Sequence, residues 1–248
     1  MKRILIFLSL FLPVLGFSSY GITQTVSNNN GTGATTLVMT VASTASGDLL
    51  TLPIAYTGVT NSISSVIDNK GNTWNARDPQ SLSPDLGVMY DSPNATAGVT
   101  TVTVTFANSC VASAIFREYT GVGNAIDKHV SANGTSAAPS SGATATTTSA
   151  NELVLGWYAG IATGGTPTAG AGFGNLTTNG AVAQVSAIED LNQTGMATQT
   201  ATFTITSAKW ICGVATYALS PPASIGGLAI LGVGLVLDDP EDRLRLGA

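Results

Sequence analysis

The chain has 248 residues, a formal net charge of −5 at pH 7 and only 9% charged residues. This length suits one large all-β domain, because sandwiches and barrels reach it as single domains. The sequence has no cluster of Lys and Arg residues that would neutralise phosphates or anionic lipid headgroups, so we expect neither nucleic acid nor a charged lipid surface as a partner.

The N-terminus has the features of a secretory signal peptide. Lys2 and Arg3 supply the positive charge, residues 4–15 form an apolar stretch, and small residues around Ser18 suit cleavage. The apolar stretch is too short to cross ~30 Å of hydrocarbon comfortably. We therefore expect residues 1–18 to be removed on export and the protein to be secreted or held at the cell surface.

Strand-like segments separated by short turns follow from residue 35 to residue 219. In "TTVTVTFA" the side chains of Val102, Val104 and Phe106 share one face and threonines occupy the other, which is typical of a half-buried strand. We predict further strands at 35–42, 49–58, 86–92, 111–121, 151–161, 181–190, 197–206 and 209–219. No helical periodicity and no internal repeat of fixed period is visible before Ser220. Residues 19–219 are therefore expected to form one all-β domain, an antiparallel two-sheet sandwich of the jelly-roll kind.

Two regions have less regular patterns. Residues 63–76 are typical of a β-hairpin whose turn lies at 68–72, where Gly71 is free to take a positive φ. Residues 131–150 are rich in Ser, Thr, Ala and Gly, a composition that would also suit a domain linker. Because an apolar strand begins again at Asn151, we expect a loop that leads into a polar edge strand.

The two cysteines, Cys110 and Cys212, allow two interpretations. In an exported protein a lone pair most simply forms one disulfide, which would close a loop of about 100 residues. The alternative is two buried thiols that pack as small hydrophobic groups. We expect the disulfide.

Several segments occur here in a recognisable order: "TASGDLLTLPIAYTG", "SSVIDNKGNTWNA", "GVTTVTVTFANS", "FREYTGVGNAID", "SANELVLGWYAG" and "WICGVATYAL". Together they resemble a family of secreted bacterial β-sandwich modules whose pattern looks like "ASGDLL…SVTDSxGNTW…TVTVTF…EYSGV…ANELV". The resemblance covers about residues 35–219 and implies a jelly-roll-like fold and an exported location. It implies no activity. The chain differs from the family in its single module, its cysteine pair and its apolar tail.

The ionisable residues indicate no catalytic centre. His129 is the only histidine, no G-x-S-x-G motif is present, and the cysteines are too distant to complete a zinc site, so we expect His129 on the surface of a strand. Glu118 and Glu152 are the best candidates for a glycosidase pair, because their strands could face each other and such carboxyls lie ~5–10 Å apart. We prefer solvated or salt-bridged acids for both, and expect no enzymatic activity.

Two kinds of binding site remain to be considered. Asp68, Asn69 and Asn72 offer oxygen ligands for calcium, but turn chemistry already explains them, so we expect no metal and no cofactor. Trp74 and Trp157 could stack on a sugar, although aromatic residues also fill sandwich cores. Trp157 and its neighbour in the strand must point to opposite faces, so at most one of the two faces solvent.

The C-terminal tail, residues 220–248, begins with prolines that end the last strand, because proline cannot donate to a sheet ladder. Its larger apolar side chains are Ile225, Leu228, Ile230, Leu231, Val233, Leu235, Val236 and Leu237. As a helix this run is shorter than a bilayer, and its glycines weaken it further. Acidic residues follow where a sorting tail would be basic. We favour a strand that adds to an open sheet edge of the same domain or of a neighbouring copy, ahead of an anchoring or sorting segment.

These features together predict an exported structural or adhesive protein of the cell surface or extracellular matrix, which assembles through its tail into a filament. Its expected partners are other copies of the chain or other surface proteins, and a membrane only if the tail anchors. A carbohydrate-binding module, with a polysaccharide as partner, is the first alternative. A glycoside hydrolase that uses Glu118 and Glu152 is the second.

Overall fold

A computed structural model describes residues 19–58, 60–180 and 183–221. The predicted signal peptide lies outside the described residues, as does the tail beyond residue 221. Within these ranges no helix is long and apolar enough to cross a bilayer. The strands are β1 Gly21–Asn29, β2 Ala34–Thr40, β3 Leu49–Thr57, β4 Ile63–Asp68, β5 Asn75–Leu82, β6 Asp85–Ser92, β7 Thr101–Cys110, β8 Ala112–Thr120, β9 Val122–Ser136, β10 Asn151–Ile161, β11 Gly174–Gly180, β12 Gln184–Thr194 and β13 Ala208–Leu219, with one 3-10 turn at Ala162–Gly164.

The strands form three antiparallel sheets. Sheet A has the order β1-β8-β3-β6-β5, sheet B the order β2-β7-β4 and sheet C the order β11-β12-β10-β13-β9. One apolar core lies between sheets A and B and another between sheets A and C, so sheet A is the middle layer. The prediction of an all-β antiparallel sandwich is confirmed, and a third sheet is added to the two expected. Strands β1-β8-β3-β6 of sheet A face β2-β7-β4 of sheet B across the first of these cores.

The middle position of sheet A explains its continuous apolar segments. In β3 the side chains of Leu50, Leu52 and Ile54 enter the core toward sheet B, and those of Leu49 and Ala55 enter the core toward sheet C. A strand covered on both faces has no polar side to alternate with. In contrast, β7 lies in the outer sheet B and keeps the predicted alternation of buried valines and half-exposed threonines.

Sheets A and C have the same internal order, although the sequence shows no repeat. If β9, β13, β10, β12 and β11 are matched to β1, β8, β3, β6 and β5, the two orders coincide. The outer face of sheet A is covered by sheet B and by the irregular segments 41–47 and 95–100. The outer face of sheet C is covered by two irregular segments, 137–149 and 197–206, which we call the covering layer.

The covering layer has a three-residue period along its first segment. Ser141, Thr144 and Thr147 are buried, and the residues between them are exposed. Each of the three donates its backbone N–H to a carbonyl of the second segment, and its hydroxyl oxygen accepts an N–H from the same residue. Residues 197–206 were expected to be a regular strand, but they form only isolated bridges, at Thr202 and Thr204. A partner with a period of three cannot continue a ladder with a period of two.

The predicted hairpin at 63–76 is wrong in its pairing. Strand β4 pairs with β7 in sheet B, whereas β5 pairs with β6 in sheet A. The turn between them therefore passes from one sheet to another. Its local chemistry is as predicted, because the carboxylate of Asp68 accepts the backbone N–H of Lys70 at 2.7 Å and Gly71 has φ +74°.

The predicted disulfide is wrong, because Cys110 and Cys212 are free thiols. Cys110 ends β7 and lies in the core between sheets A and B, whereas Cys212 lies on β13 in the core under the covering layer. Sheets A and C therefore stand between two thiols that a disulfide would need to bring within ~7 Å at their Cα atoms. Burial raises the pKa of both thiols.

Candidate functional site

Glu118 and Glu152, the candidate glycosidase pair, are both fully buried and lie on opposite faces of the pair formed by sheets A and C. In β8, Glu118 follows the alternation of Ala114 and Phe116, which enter the core toward sheet B. In β10, Glu152 follows the alternation of Val154, which enters the core under the covering layer. The expectation that the two carboxyls could face each other is therefore wrong, because sheets A and C lie between them.

The two candidate stacking tryptophans have different environments. Trp157 is 1% exposed in the core between sheets A and C, where its indole lies directly over Gly213. Its ring is therefore not accessible to a sugar. Its neighbour Tyr158 is also buried, on the opposite face of the sheet. Trp74 is half-buried, and its Nε1 donates to Oδ2 of Asp68 at 2.9 Å.

The candidate calcium ligands are already hydrogen-bonded. Oδ1 of Asp68 accepts two backbone N–H groups, and its Oδ2 accepts the side-chain N–H groups of Asn72 and Trp74. Oδ1 of Asn69 accepts the N–H of Thr100 at 2.9 Å. Burial alone would raise the pKa of Asp68, but these hydrogen bonds lower it. In the part of the chain that the structure describes, no group of three or more His, Cys, Asp or Glu side chains could hold a metal ion.

The histidine lies where the edges of sheets A and C meet. Strands β5 and β9 contact each other there, and we call this contact the β5–β9 seam. Nδ1 of His129 is 2.5 Å from Oδ2 of Asp78, with both side chains about one third exposed. Asp78 has φ +41°, at the irregularity in β5 between Arg77 and Gln80, and this left-handed backbone turns its carboxylate toward β9.

The neighbouring side chains of the seam bond across it in the same way. The hydroxyl of Ser131 donates to the backbone oxygen of Asp78 at 2.8 Å, and Nδ2 of Asn133 donates to Oε1 of Gln80 at 2.8 Å. The Ser131 hydroxyl hydrogen is thus directed at a backbone carbonyl. An Asp, a His and a Ser occur together here, but the serine does not hand its proton to the histidine as a nucleophile would.

Behind the seam lies a fully buried carboxylate. The carboxylate of Asp91 on β6 accepts hydrogen bonds from Nε and Nη2 of Arg77 at 2.9 and 2.8 Å, and from the hydroxyl of Tyr217 on sheet C at 2.5 Å. Asn75 donates a further, longer bond. Burial and the adjacent carboxylate raise the pKa of Tyr217, so this hydroxyl remains a donor.

A second buried carboxylate reproduces this arrangement with the sheets exchanged. Asp190 of β12 in sheet C receives the hydroxyl of Tyr119 of sheet A at 3.2 Å and Nη1 of Arg117 at 2.9 Å. The hydroxyl of Tyr20 and Nδ2 of Asn175 bond its other oxygen, at 2.5 and 2.7 Å. Asp91 and Asp190 occupy matching strands, as do their partners Tyr217 and Tyr119.

The clusters around Asp91 and Asp190 join sheets A and C by hydrogen bonds and ion pairs. All four carboxylate oxygens of Asp91 and Asp190 accept two hydrogen bonds each, and each carboxylate has a guanidinium partner. A buried charge is tolerated when it is paired and hydrogen-bonded in this way. Sequence reasoning missed both clusters. The available signal was an Arg or Asp inside an otherwise apolar strand, as in "IFREY" and "VMYDS".

Comparisons of the chain with protein-family models, with curated proteins and with solved structures found no match.

Proposed function

We propose that the chain is an exported, non-catalytic structural or adhesive protein of the cell surface or extracellular matrix. One observation carries this proposal: the carboxylates of Asp91 and Asp190 have all of their oxygens hydrogen-bonded in clusters that join sheets A and C. Asp91, Asp190 and Arg117 are nearly or fully buried and hold sheets A and C together. Groups that are saturated by the fold are not free to act on a substrate.

The outer face of sheet B offers a partner an uncharged surface that is rich in hydroxyl groups. On the outer face of sheet B, Thr103 of β7 lies between Val38 of β2 and Ile67 of β4 in the strand register. Both aliphatic side chains are exposed, at 42% and 58%. A flat surface of methyl and hydroxyl groups supports contact with another protein better than contact with an ionic ligand.

The C-terminal tail supplies the proposed means of self-association. Its apolar residues between Ile225 and Leu237 lie outside the described residues, so their role rests on the sequence. The last described strand, β13, ends beside β9, an edge strand of sheet C, where the N–H of Ser220 donates to Gly121 at 2.9 Å. The chain thus leaves the sandwich next to a sheet edge that an added strand would extend.

Truncation after Ser220 tests this function. The mature full-length protein and the truncated protein are compared by sedimentation in detergent-free buffer over a range of concentrations. We expect concentration-dependent association of the full-length protein without lipid, and a monomer after truncation. Partition of a full-length monomer into vesicles, or cleavage near Pro222 on export, would contradict assembly through the tail.

The alternative of a carbohydrate-binding module rests on Trp74, whose half-buried indole is held in place by Asp68. A polysaccharide pull-down with the full chain tests it. Binding that is lost in Trp74→Ala but kept in Trp210→Ala, which removes another half-buried indole on sheet C, would favour this alternative. Equal binding by the wild type and both variants, or none, would leave the structural function as the proposal.

A further inference from the structure

Two glutamates lie under the covering layer, on the outer face of sheet C. Glu189 of β12 is fully buried, and its Oε2 accepts the backbone N–H of Gly170 at 2.9 Å. Its Oε1 has no hydrogen-bond partner among the described residues. The side chain lies over Gly156 and beside Ala201 of the covering layer, because a Cβ added at Gly156 would come within 2.8 Å of the Glu189 carboxyl and 2.9 Å of Ala201.

Glu152 lies at the start of β10, and it too is fully buried. Its Oε1 accepts the N–H of Ser149 at 3.3 Å, and its Oε2 lacks a partner among the described residues. The carboxyl of Glu152 faces the carboxylate of Asp127. Asp127 in turn holds the covering layer, because it accepts the N–H and the hydroxyl of Thr148 at 2.6 and 2.8 Å.

The charges around these two groups favour their neutral forms. Lys128 pairs with Asp127 at 2.6 Å, and among the described residues no cation pairs with either glutamate. Facing Glu152 are Asp127 and the hydroxyl of Thr216. Facing Glu189 is the Cys212 thiol of β13. Asp190, the next residue along β12, turns to the opposite face and pairs with Arg117, and its negative charge still adds to the rise in the pKa of Glu189.

Burial raises the pKa of both carboxyls to about 7, and Asp127 adds to the rise at Glu152. When the covering layer is open and water reaches both carboxyls, each would titrate near the ordinary pKa of 4.5. Ionisation under the closed layer therefore places an anion without a cation in an apolar site, and lifting the layer lets water hydrate it.

We propose that the covering layer stays closed on sheet C while Glu152 and Glu189 are neutral. Ionisation of these two carboxyls as the pH rises releases the layer. The layer contributes Phe203 and Ile205 to an apolar core that it shares with Val154 of sheet C. Release exposes this core, so the protein gains an apolar surface on moving from a mildly acidic to a neutral or alkaline medium.

The direction and window follow from proton linkage. Because the pKa values in the closed form are raised, the stabilisation is complete below about pH 4.5 and is lost as the pH rises to about 7. Within that window each carboxyl can raise the opening equilibrium by up to about tenfold per pH unit. Above it the opening equilibrium levels off.

The other half of the molecule contains an internal control. Glu118 of β8 is buried beside Asp48, and burial together with that neighbour raises its pKa. Both of its oxygens accept hydrogen bonds, one from Nε2 of Gln24 and one from the backbone N–H of Ala45, whereas Glu152 and Glu189 each have one oxygen without a partner among the described residues. Each of the two cores outside the shared one contains a buried thiol. Cys110 lies in the core between sheets A and B, and Cys212 lies under the covering layer, where the Sγ of Cys212 is 3.6 Å from the backbone oxygen of Ala201.

Alkylation of the two thiols in the mature full-length protein tests the proposal. The rate at each cysteine is measured by mass spectrometry from pH 4.5 to 8.5 and divided by the rate of a free cysteine peptide, which removes the titration of the thiol itself. We expect the corrected rate at Cys212 to rise steeply up to about pH 7 and then level off. The corrected rate at Cys110 should change much less.

Matched variants assign the effect to the two carboxyls. Glu152→Gln and Glu189→Gln mimic the neutral acid, so each should flatten the rise at Cys212, and the double variant should remove it. Glu118→Gln should leave it unchanged. A corrected Cys212 rate that is independent of pH, or a rise that survives in the double variant, would overturn the proposal. If a variant does not fold, NMR titration of the wild-type carboxyls decides, since two values near 4.5 would also overturn it.

Discussion

Sheets A and C share one strand order but are closed on the outside by different means. Sheet A is covered by the regular three-stranded sheet B together with the irregular segments 41–47 and 95–100, whereas the segments over sheet C pair only at separate points. The inner faces of sheets A and C meet in one shared core, so both inner faces must be apolar. The outer covers were free to differ, because any segment that buries the outer face and satisfies its own backbone groups will serve.

The shared interface is more strictly matched than the covers. Each sheet places one aspartate at the interface with the other, and each aspartate accepts a hydrogen bond from a tyrosine hydroxyl of the opposite sheet. The difference lies in the cation. Arg117 is buried with 1% of its side chain exposed, whereas Arg77 reaches the surface with 18% exposed. The four comparisons below use such matched positions, beginning with the largest expected effect.

Replacing Asp190 by Ala should cost the most stability. It leaves Arg117 buried without its carboxylate, and an orphaned buried charge costs ~3–5 kcal/mol. Asp91→Ala should cost less, because Arg77 can turn into water. Urea unfolding of both variants measures the difference in their free energies of unfolding. Asp190→Asn keeps an acceptor oxygen, so its free energy of unfolding should lie between those of the wild type and Asp190→Ala. Equal losses for Asp91→Ala and Asp190→Ala would show that the exposure of the arginine is irrelevant.

Adding a methyl group under each of two tryptophans compares the interior with the edge of sheet C. A Cβ at Gly213 would lie 2.3 Å from the buried indole of Trp157, and a Cβ at Gly134 would lie 2.6 Å from the half-exposed indole of Trp210. We expect Gly213→Ala to cost ~1–3 kcal/mol through overpacking. Gly134→Ala should cost less, since Trp210 can move outward. Thermal unfolding ranks the two, and the reverse order would contradict the packing described.

Two threonines test whether the covers are equally strong. The hydroxyl oxygen of Thr144 accepts the N–H of Gln199 at 2.9 Å in the covering layer, and that of Thr44 accepts the N–H of Val99 at 3.0 Å on the sheet A side. Thr→Val at either position leaves a buried N–H without its partner, at ~1–3 kcal/mol. We expect similar losses in urea unfolding. The exposed Thr146→Val is the control, and a loss there as large as at Thr144 would refute the three-residue period.

The smallest effect is expected at the β5–β9 seam. At a pH low enough to protonate the imidazole, His129→Ala removes a partly exposed ion pair with Asp78, for which ~0–1 kcal/mol is usual. Asn179→Ala removes neutral hydrogen bonds to backbone oxygens of β1 and β8, at the matching contact between β1 and β11. Only the first loss should shrink when salt is raised, because salt screens exposed charges. Denaturation at low and high salt measures both, and a salt-dependent loss at Asn179 would contradict this.

The sequence predicted those strands whose environment is simple. β7 alternates because one face is covered, and β3 is continuously apolar because both are covered, so pattern and burial agree. β1 was not predicted, since its exposed residues and half-buried residues include few large apolar groups. The hairpin at 63–76 failed for another reason. A turn motif specifies how the chain reverses locally, but not which sheet receives the following strand.

The candidate site was less predictable because its residues act across long separations. Arg117 and Asp190 look like surface charges in the sequence, yet they meet inside the sandwich. Cys110 and Cys212 both lie in apolar segments, which indicates burial but not which core each enters. Such questions depend on the face of the strand and on the neighbouring sheet, and neither is encoded within a short window.

The three-residue period of the covering layer has a consequence for how its sequence can change. Between Ser141 and Thr147 the fold constrains one side chain in three, and the intervening positions are exposed. Apart from Gly142, whose φ of +74° favours glycine, these intervening positions can therefore change without loss of packing, which is how so repetitive a composition remains compatible with a defined structure. The segment should tolerate substitutions at those positions far better than the insertion of one or two residues, which would move every anchoring hydroxyl out of phase.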